Sequence, residues 1–100
     1  MHKSNCCRKK ELPREEKLRK ALIHRLNRME GQIRGIRGMV ENDIYCNDIL
    51  IQCAAVSAAL NAFQRELLAD HIRSCVAAEL RAGKDEVVDE LMATMQKMMR

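Results

Sequence analysis

Aromatic residues are almost missing from this chain of one hundred residues: Tyr45 and Phe63 stand alone, and there is no tryptophan. Such a sequence has few bulky side chains from which to build a core of its own, and its size allows one small domain. Proline occurs once, at Pro13, and alanine, leucine and methionine dominate, which favours helices over strands. No apolar run approaches the ~20 residues that span a membrane, and the polar start of the chain, residues 1–10, has no signal-peptide core. The chain is therefore expected to be cytoplasmic, with no membrane partner. Also missing are a nucleophile elbow, a glycine-rich phosphate loop and a supported pair of carboxylates, so an enzyme is not expected. A thin helical protomer of this kind needs a partner chain to complete it, which predicts a homo-oligomer.

What is present is unevenly spread. Residues 1–38 carry twelve Lys/Arg against four Glu, a net +8, while residues 39–100 carry a net −4. The basic end is the candidate for contact with a polyanion. Five cysteines in a reducing compartment point to metal or redox chemistry more than to a disulfide framework.

Residues 1–12 read as a disordered basic tail holding His2 and the neighbouring Cys6 and Cys7. Pro13, Glu15 and Glu16 suit the first turn of a helix. Leu18, Leu22, Leu26, Met29, Ile33, Ile36 and Val40 then recur at steps of three and four, an apolar stripe that packs along another helix and runs to about Glu41. Gly31, Gly35 and Gly38 interrupt it and would permit close helix approach. Asp43 is placed to cap a second helix, with Ile44, Tyr45 and Cys46 in its first turn, where the positive helix end favours a thiolate. This helix is expected to continue into the seventies. Gly83 is the expected stop, and Asp85 the cap of a last helix bearing Val87, Val88, Leu91, Met92, Met95 and Met98. The fold class is all-α.

His71 and Cys75 are four residues apart and share a helix face. Cys46 lies 25 positions before His71 with no glycine or proline between, so on one helix the two are about 37 Å apart. One chain could not close a site with all three; two antiparallel chains, crossing at the small residues around Ala58 and Ala59, could do so twice. Two thiolates and an imidazole form a soft, low-coordinate set that suits Cu(I), with Zn(II) the second choice for want of a fourth ligand. The same sulfurs could instead form a disulfide or polysulfide link between chains, a purpose for which His71 is not needed.

The run Arg25–Ile36, followed by Met39-Val40-Glu41, Tyr45-Cys46, Asp48-Ile49-Leu50, Asp70-His71 and Cys75, resembles the CsoR/RcnR family of metal-sensing repressors over about residues 17–98. The Cys…His-x3-Cys spacing is similar to its copper-responsive CsoR branch. The nickel/cobalt sensors have histidine where Cys75 stands, the persulfide sensors lack a histidine at the His71 position, and the formaldehyde sensors have an N-terminal proline in place of His2. The resemblance implies a three-helix protomer, an antiparallel dimer and a disc-like tetramer without a helix-turn-helix, the helical domain covering 13–100. It implies Cu(I) held by Cys46 of one protomer with His71 and Cys75 of its neighbour, and Tyr45 and Glu90 as outer partners of the imidazole. Glu90 fills that role if the turn around Gly83 is one residue shorter than usual. It further implies a DNA surface on the first two helices, with Arg25 as the carried-over contact. Arg28, Arg34 and Arg37 join it on local charge, and Arg65 takes the place of a missing basic residue near Asn61.

The expected function is therefore a Cu(I)-responsive repressor that holds operator DNA when metal-free and lets go on binding copper, freeing copper-resistance genes. The alternatives are a thiol-based persulfide or redox sensor using Cys46 and Cys75, and a copper buffer using Cys6 and Cys7 with the same core site.

Overall fold

A computed structural model describes residues 15–99. The expected tail, with His2, Cys6, Cys7 and also Pro13, lies outside the described residues. All regular structure among those described is helical: α1 (Glu16–Glu41), α2 (Cys46–His71), a π-helical turn (Ile72–Val76), α3 (Ala77–Arg81) and α4 (Glu86–Met98). The stretch Cys46–Arg81 is continuous helix, so α2, the π turn and α3 make one rod and the protomer has three, as expected. From Lys17 on, the described residues fall into two compact units, Lys17–Leu67 and the part from Leu68 onward.

In the first unit α1 is expressed much as its stripe foretells. Leu22 and Met29, two turns apart, are buried. Other members of the stripe, Leu26, Ile33 and Val40, remain exposed at 41%, 56% and 58%. Arg25 ties α1 to α2 through a 3.2 Å ion pair with Glu66. The close approach expected at the glycines does not occur within this chain. A Cβ at Gly35 or Gly38 would meet nothing within 4 Å, and one at Gly31 would meet only the flexible end of Arg34.

The link between α1 and α2 corrects one expectation. Asp43 does not cap α2; it takes φ 53°, in the left-handed region. The backbone N–H of Ile44 donates to Met39 O (3.0 Å) and that of Asp43 to Val40 O (3.2 Å). This pair of bonds defines a Schellman stop, with Asp43 in the position that glycine most often fills. Asn42 reinforces it, its side-chain amide donating to Gly38 O at 2.8 Å. Short polar side chains tolerate both the left-handed region and the cap position, so Asp43 was ambiguous and its backbone chose the former. The N–H groups of Asp48 and Ile49 donate to Tyr45 O, so α2 starts at Cys46, later than expected.

The second unit has a denser core. Cys75 and Val76 of the π turn, Glu79 of α3 and Val87 of α4 are all buried, and α4 packs on the π turn. Gly83 ends α3 as expected, at φ 79°, with Lys84 N–H donating to Glu79 O (2.9 Å) and Gly83 N–H to Leu80 O (3.0 Å), the same motif as at Asp43. Asp85 occupies the N-cap position of α4, without the side-chain cap bond expected of it.

The expectation that nothing is long and apolar enough to span a membrane needs correcting. The rod Cys46–Arg81 contains an 18-residue window of mean hydropathy 1.3, which passes by length and composition, and none of that window is buried within the chain. Alanine and cysteine raise the average without forming an unbroken run of large apolar side chains. Leu50, Ile51 and Leu60 stand exposed along it. A face of this kind needs a cover, either lipid or a second protein surface.

Candidate metal centre and basic groove

Cys46 is the first residue of α2 and an exposed free thiol. Its position follows from the Schellman turn, which delivers Tyr45 as the residue whose carbonyl accepts the first helical bonds. Tyr45 itself is 69% exposed.

His71 closes α2 and is partly buried. Beyond it the backbone widens into the π turn, in which Ala77 N–H reaches back five residues to Ile72 O. The Ser74 hydroxyl donates to Asp70 O at 2.7 Å. A hydroxyl that takes a carbonyl four residues back intrudes on the regular ladder and bends it, which gives a physical reason for the irregular turn at this point. Single π turns in otherwise regular helices occur often at functional sites. Cys75 lies inside this one at 0% exposure, with Ser74 Oγ 3.8 Å from its sulfur. Cys46 and Cys53 are free thiols.

His71 and Cys75 are thus brought onto one short segment of the second unit, while Cys46 stands at the far end of α2. Among the described residues of one chain no three His, Cys, Asp or Glu side chains gather in a way that could hold a metal ion. The donors available are the partly buried imidazole of His71 and the buried sulfur of Cys75, plus the exposed thiol of Cys46, 25 residues before His71. This set fits a soft monovalent ion if two chains contribute, and fits an oxygen-loving ion poorly. Glu90 lies on α4, and its Oε1 is shielded from solvent.

The basic residues sit on the first unit. Arg25 and Arg28, with Gln32, form one wall of an open groove of about 310 Å³, and Ala55, Ala58 and Ala59 form the other. Three residues of the small patch expected at a chain crossing therefore flank α1 of the same chain. Arg34, Arg37 and Arg65 are exposed, and Arg37 pairs with Glu41 through Nε at 3.3 Å, one turn on. Arg25, half-exposed, is held by Glu66 through Nη2.

Three residues of evident consequence were not singled out from sequence. Glu66 is paired with an arginine 41 positions away, a distance over which one sequence carries no signal. Ser74 has the local hydroxyl signal, but its effect needs the backbone to be seen. Glu79 is a carboxylate only 3% exposed on what reads as an ordinary helical turn.

Comparison with known proteins bears on the same residues. The sequence profile of a family described as metal-sensitive transcriptional repressors matches residues 18–97. The chain is 47% identical over 77 residues to the copper-sensing transcriptional repressor CsoR of Bacillus subtilis, covering 76% of each. It is 42% identical over 79 residues to the copper-sensing transcriptional repressor RicR of Mycobacterium tuberculosis, covering 76% of this chain and 82% of that one. In structure it is similar to the copper-sensing repressor CsoR of Geobacillus thermodenitrificans determined with Cu(I), at a TM-score of 0.87 and 35% identity over 100% of this chain and 99% of that one. It is also similar, less closely, to the nickel-responsive transcriptional regulator InrS, at a TM-score of 0.67 and 35% identity over 78% and 89%.

Proposed function

From the premise that the chain belongs to the metal-sensitive transcriptional repressor family, we propose that it is a copper-sensing repressor that binds operator DNA when metal-free and releases it when Cu(I) binds. It is a regulator and not an enzyme. The observation that carries the copper reading is the division of the donor set, Cys46 at one end of α2 and His71 with Cys75 at the other, in a chain 47% identical to a copper-sensing relative.

Cys46 of one chain with His71 and Cys75 of a second would hold the ion. Bound there, Cu(I) supplies a soft closed-shell cation that prefers few ligands. The protein's own contribution is to keep two donors fixed. The end of α2 and the π turn set the imidazole and the sulfur on one segment, burial keeps water from that sulfur, and the exposed Cys46 remains accessible to a neighbour. Tyr45 and Glu90 are the candidates for orienting the imidazole.

The oligomer follows from the exposed apolar face of the rod. Lipid and a second chain are both physically adequate covers, and a repressor of cytoplasmic genes selects the second. An antiparallel pair places Cys46 beside the neighbour's ligand end twice, and two such pairs make the tetramer. Operator contact falls to Arg25, Arg28, Arg34, Arg37 and Arg65, whose clustered charge would grip phosphates and give a steep salt dependence. The 1–12 tail is left outside the helical domain in this reading.

A second reading, a thiol-sensing repressor using Cys46 and Cys75, is favoured by one observation, the exposed free thiol of Cys46. One experiment separates the two. DNA affinity is measured by fluorescence anisotropy for reduced wild type and His71→Ala, with and without anaerobic Cu(I), and again with a persulfide donor. Copper sensing requires Cu(I) to release DNA from wild type and not from His71→Ala. Release by the persulfide donor alone, equal in both proteins, would transfer the function to the thiols.

A further inference from the structure

The two arginine–carboxylate pairs on the basic surface are built differently. Arg37 meets Glu41 through Nε, which leaves the outward pair of guanidinium nitrogens open. Arg25 meets Glu66 through Nη2, one of the nitrogens that a phosphate would take in a fork-like contact. The Arg25 pair is also the more sheltered, with side chains 39% and 40% exposed against 79% and 61% for the other. Arg25 borders the open groove whose opposite wall is alanine, so no bulky side chain obstructs an approaching anion.

We propose that Glu66 is an internal substitute for a DNA phosphate: it occupies Arg25 in the unbound protein and must be displaced when DNA enters the groove. The inference rests on the DNA-binding reading above and adds a regulating residue to it. Its physical content is a competition. Glu66 takes one of the two N–H groups on Arg25 Nη2, which closes one of the guanidinium's two forks to a phosphate, so part of the phosphate's attraction is spent on separating the pair, and Glu66 is left facing an anion. A carboxylate that instead braced Arg25 for its contact would improve binding, so the sign of the effect decides between the two roles.

The test is a double-mutant cycle on reduced, metal-free, full-length protein, using a short duplex from the DNA immediately upstream of its own coding sequence and a scrambled duplex of equal length. The proteins are wild type, Glu66→Gln, Arg25→Gln, the double variant, and Glu30→Gln as a control for loss of one negative charge on α1. Each is titrated at several salt concentrations. Glu66→Gln is expected to tighten both duplexes by about two- to fivefold beyond the control, the range in which a partly exposed ion pair competes. The gain shrinks as salt rises, because the pair it removes is itself screened. In the Arg25→Gln background the excess disappears. Weaker binding by Glu66→Gln, a gain no larger than that of Glu30→Gln, or a gain that survives Arg25→Gln would each overturn the proposal while leaving the repressor reading intact. Failure of the wild type to bind either duplex would overturn both.

Discussion

The two ends of the long rod carry the same sulfur chemistry in opposite settings. At the start, Cys46 opens a regular helix, exposed and free. Past the other end of α2, Cys75 sits in a widened turn at 0% exposure. Each end is flanked by a Schellman stop, Asp43 before the first and Gly83 after the second. Under the proposed function this contrast is a division of labour: the buried end is assembled when the chain folds, and the exposed end completes it only when a second chain arrives.

The strongest way to break this comparison is to remove each sulfur in turn. Cys46→Ala and Cys75→Ala should both abolish Cu(I)-driven release of DNA, read by anisotropy on the reduced proteins. They should differ in urea unfolding: Cys75→Ala loses a buried side chain at a cost of about 1 kcal/mol or more, and Cys46→Ala loses nothing measurable. Equal destabilisation would show that Cys46 is also buried in the working protein. Next in size, Val87→Ala should cost about 2 kcal/mol and blunt the copper response by loosening the packing of α4 on the π turn that holds Cys75. A full copper response from that variant would mean that the buried end needs no packing support. Ser74→Ala comes third. It frees Asp70 O from the hydroxyl and removes a bond worth about 1 kcal/mol. Amide exchange in the segment Ile72–Val76 should change in the metal-free protein, and Cu(I) affinity, measured against a chelator, should change with it. An unaltered exchange pattern would assign the π turn to packing alone. The smallest effects test the stops. Gly83→Ala should destabilise by about 1 kcal/mol, because an alanine at φ 79° is strained, while Asp43→Gly should stabilise by a few tenths at a similar φ. Opposite signs from one motif would show that the ends differ in residue and not in geometry.

Much of the fold was legible because it is written in short-range terms. The three-and-four spacing from Leu18 to Val40 became α1 with Leu22 and Met29 buried, and Gly83 stopped α3 where a glycine was expected to stop a helix. Asp43 was misread because the same short acid suits a cap and a left-handed residue, and only the hydrogen bonds of Ile44 and Asp43 decide. The sequence Ile72-Arg73-Ser74-Cys75-Val76 contains nothing that forbids an ordinary α turn, so the π turn could not be foreseen. The donor types and their separation were readable, since thiols and an imidazole are distinctive and their spacing is a count. The Arg25–Glu66 pair was not, because it depends on how two helices lie together. The apolar window in the rod was missed for a simpler reason: it is made of many small contributions from alanine and cysteine.

In the language of insertion and deletion, the turn Ile72–Val76 is a spare residue stored inside a helix, since its bonds reach back five positions where an α-helix reaches four. Deleting one residue there, Arg73 for instance, would return the stretch to α geometry. The wide turn already absorbs that residue, so the helix beyond it would run on close to its present register. What would change is the donor spacing: His71 and Cys75, four residues apart, would come to stand three apart. The stored residue is therefore a dial on the distance between two ligands, one that a descendant could turn by losing a single codon.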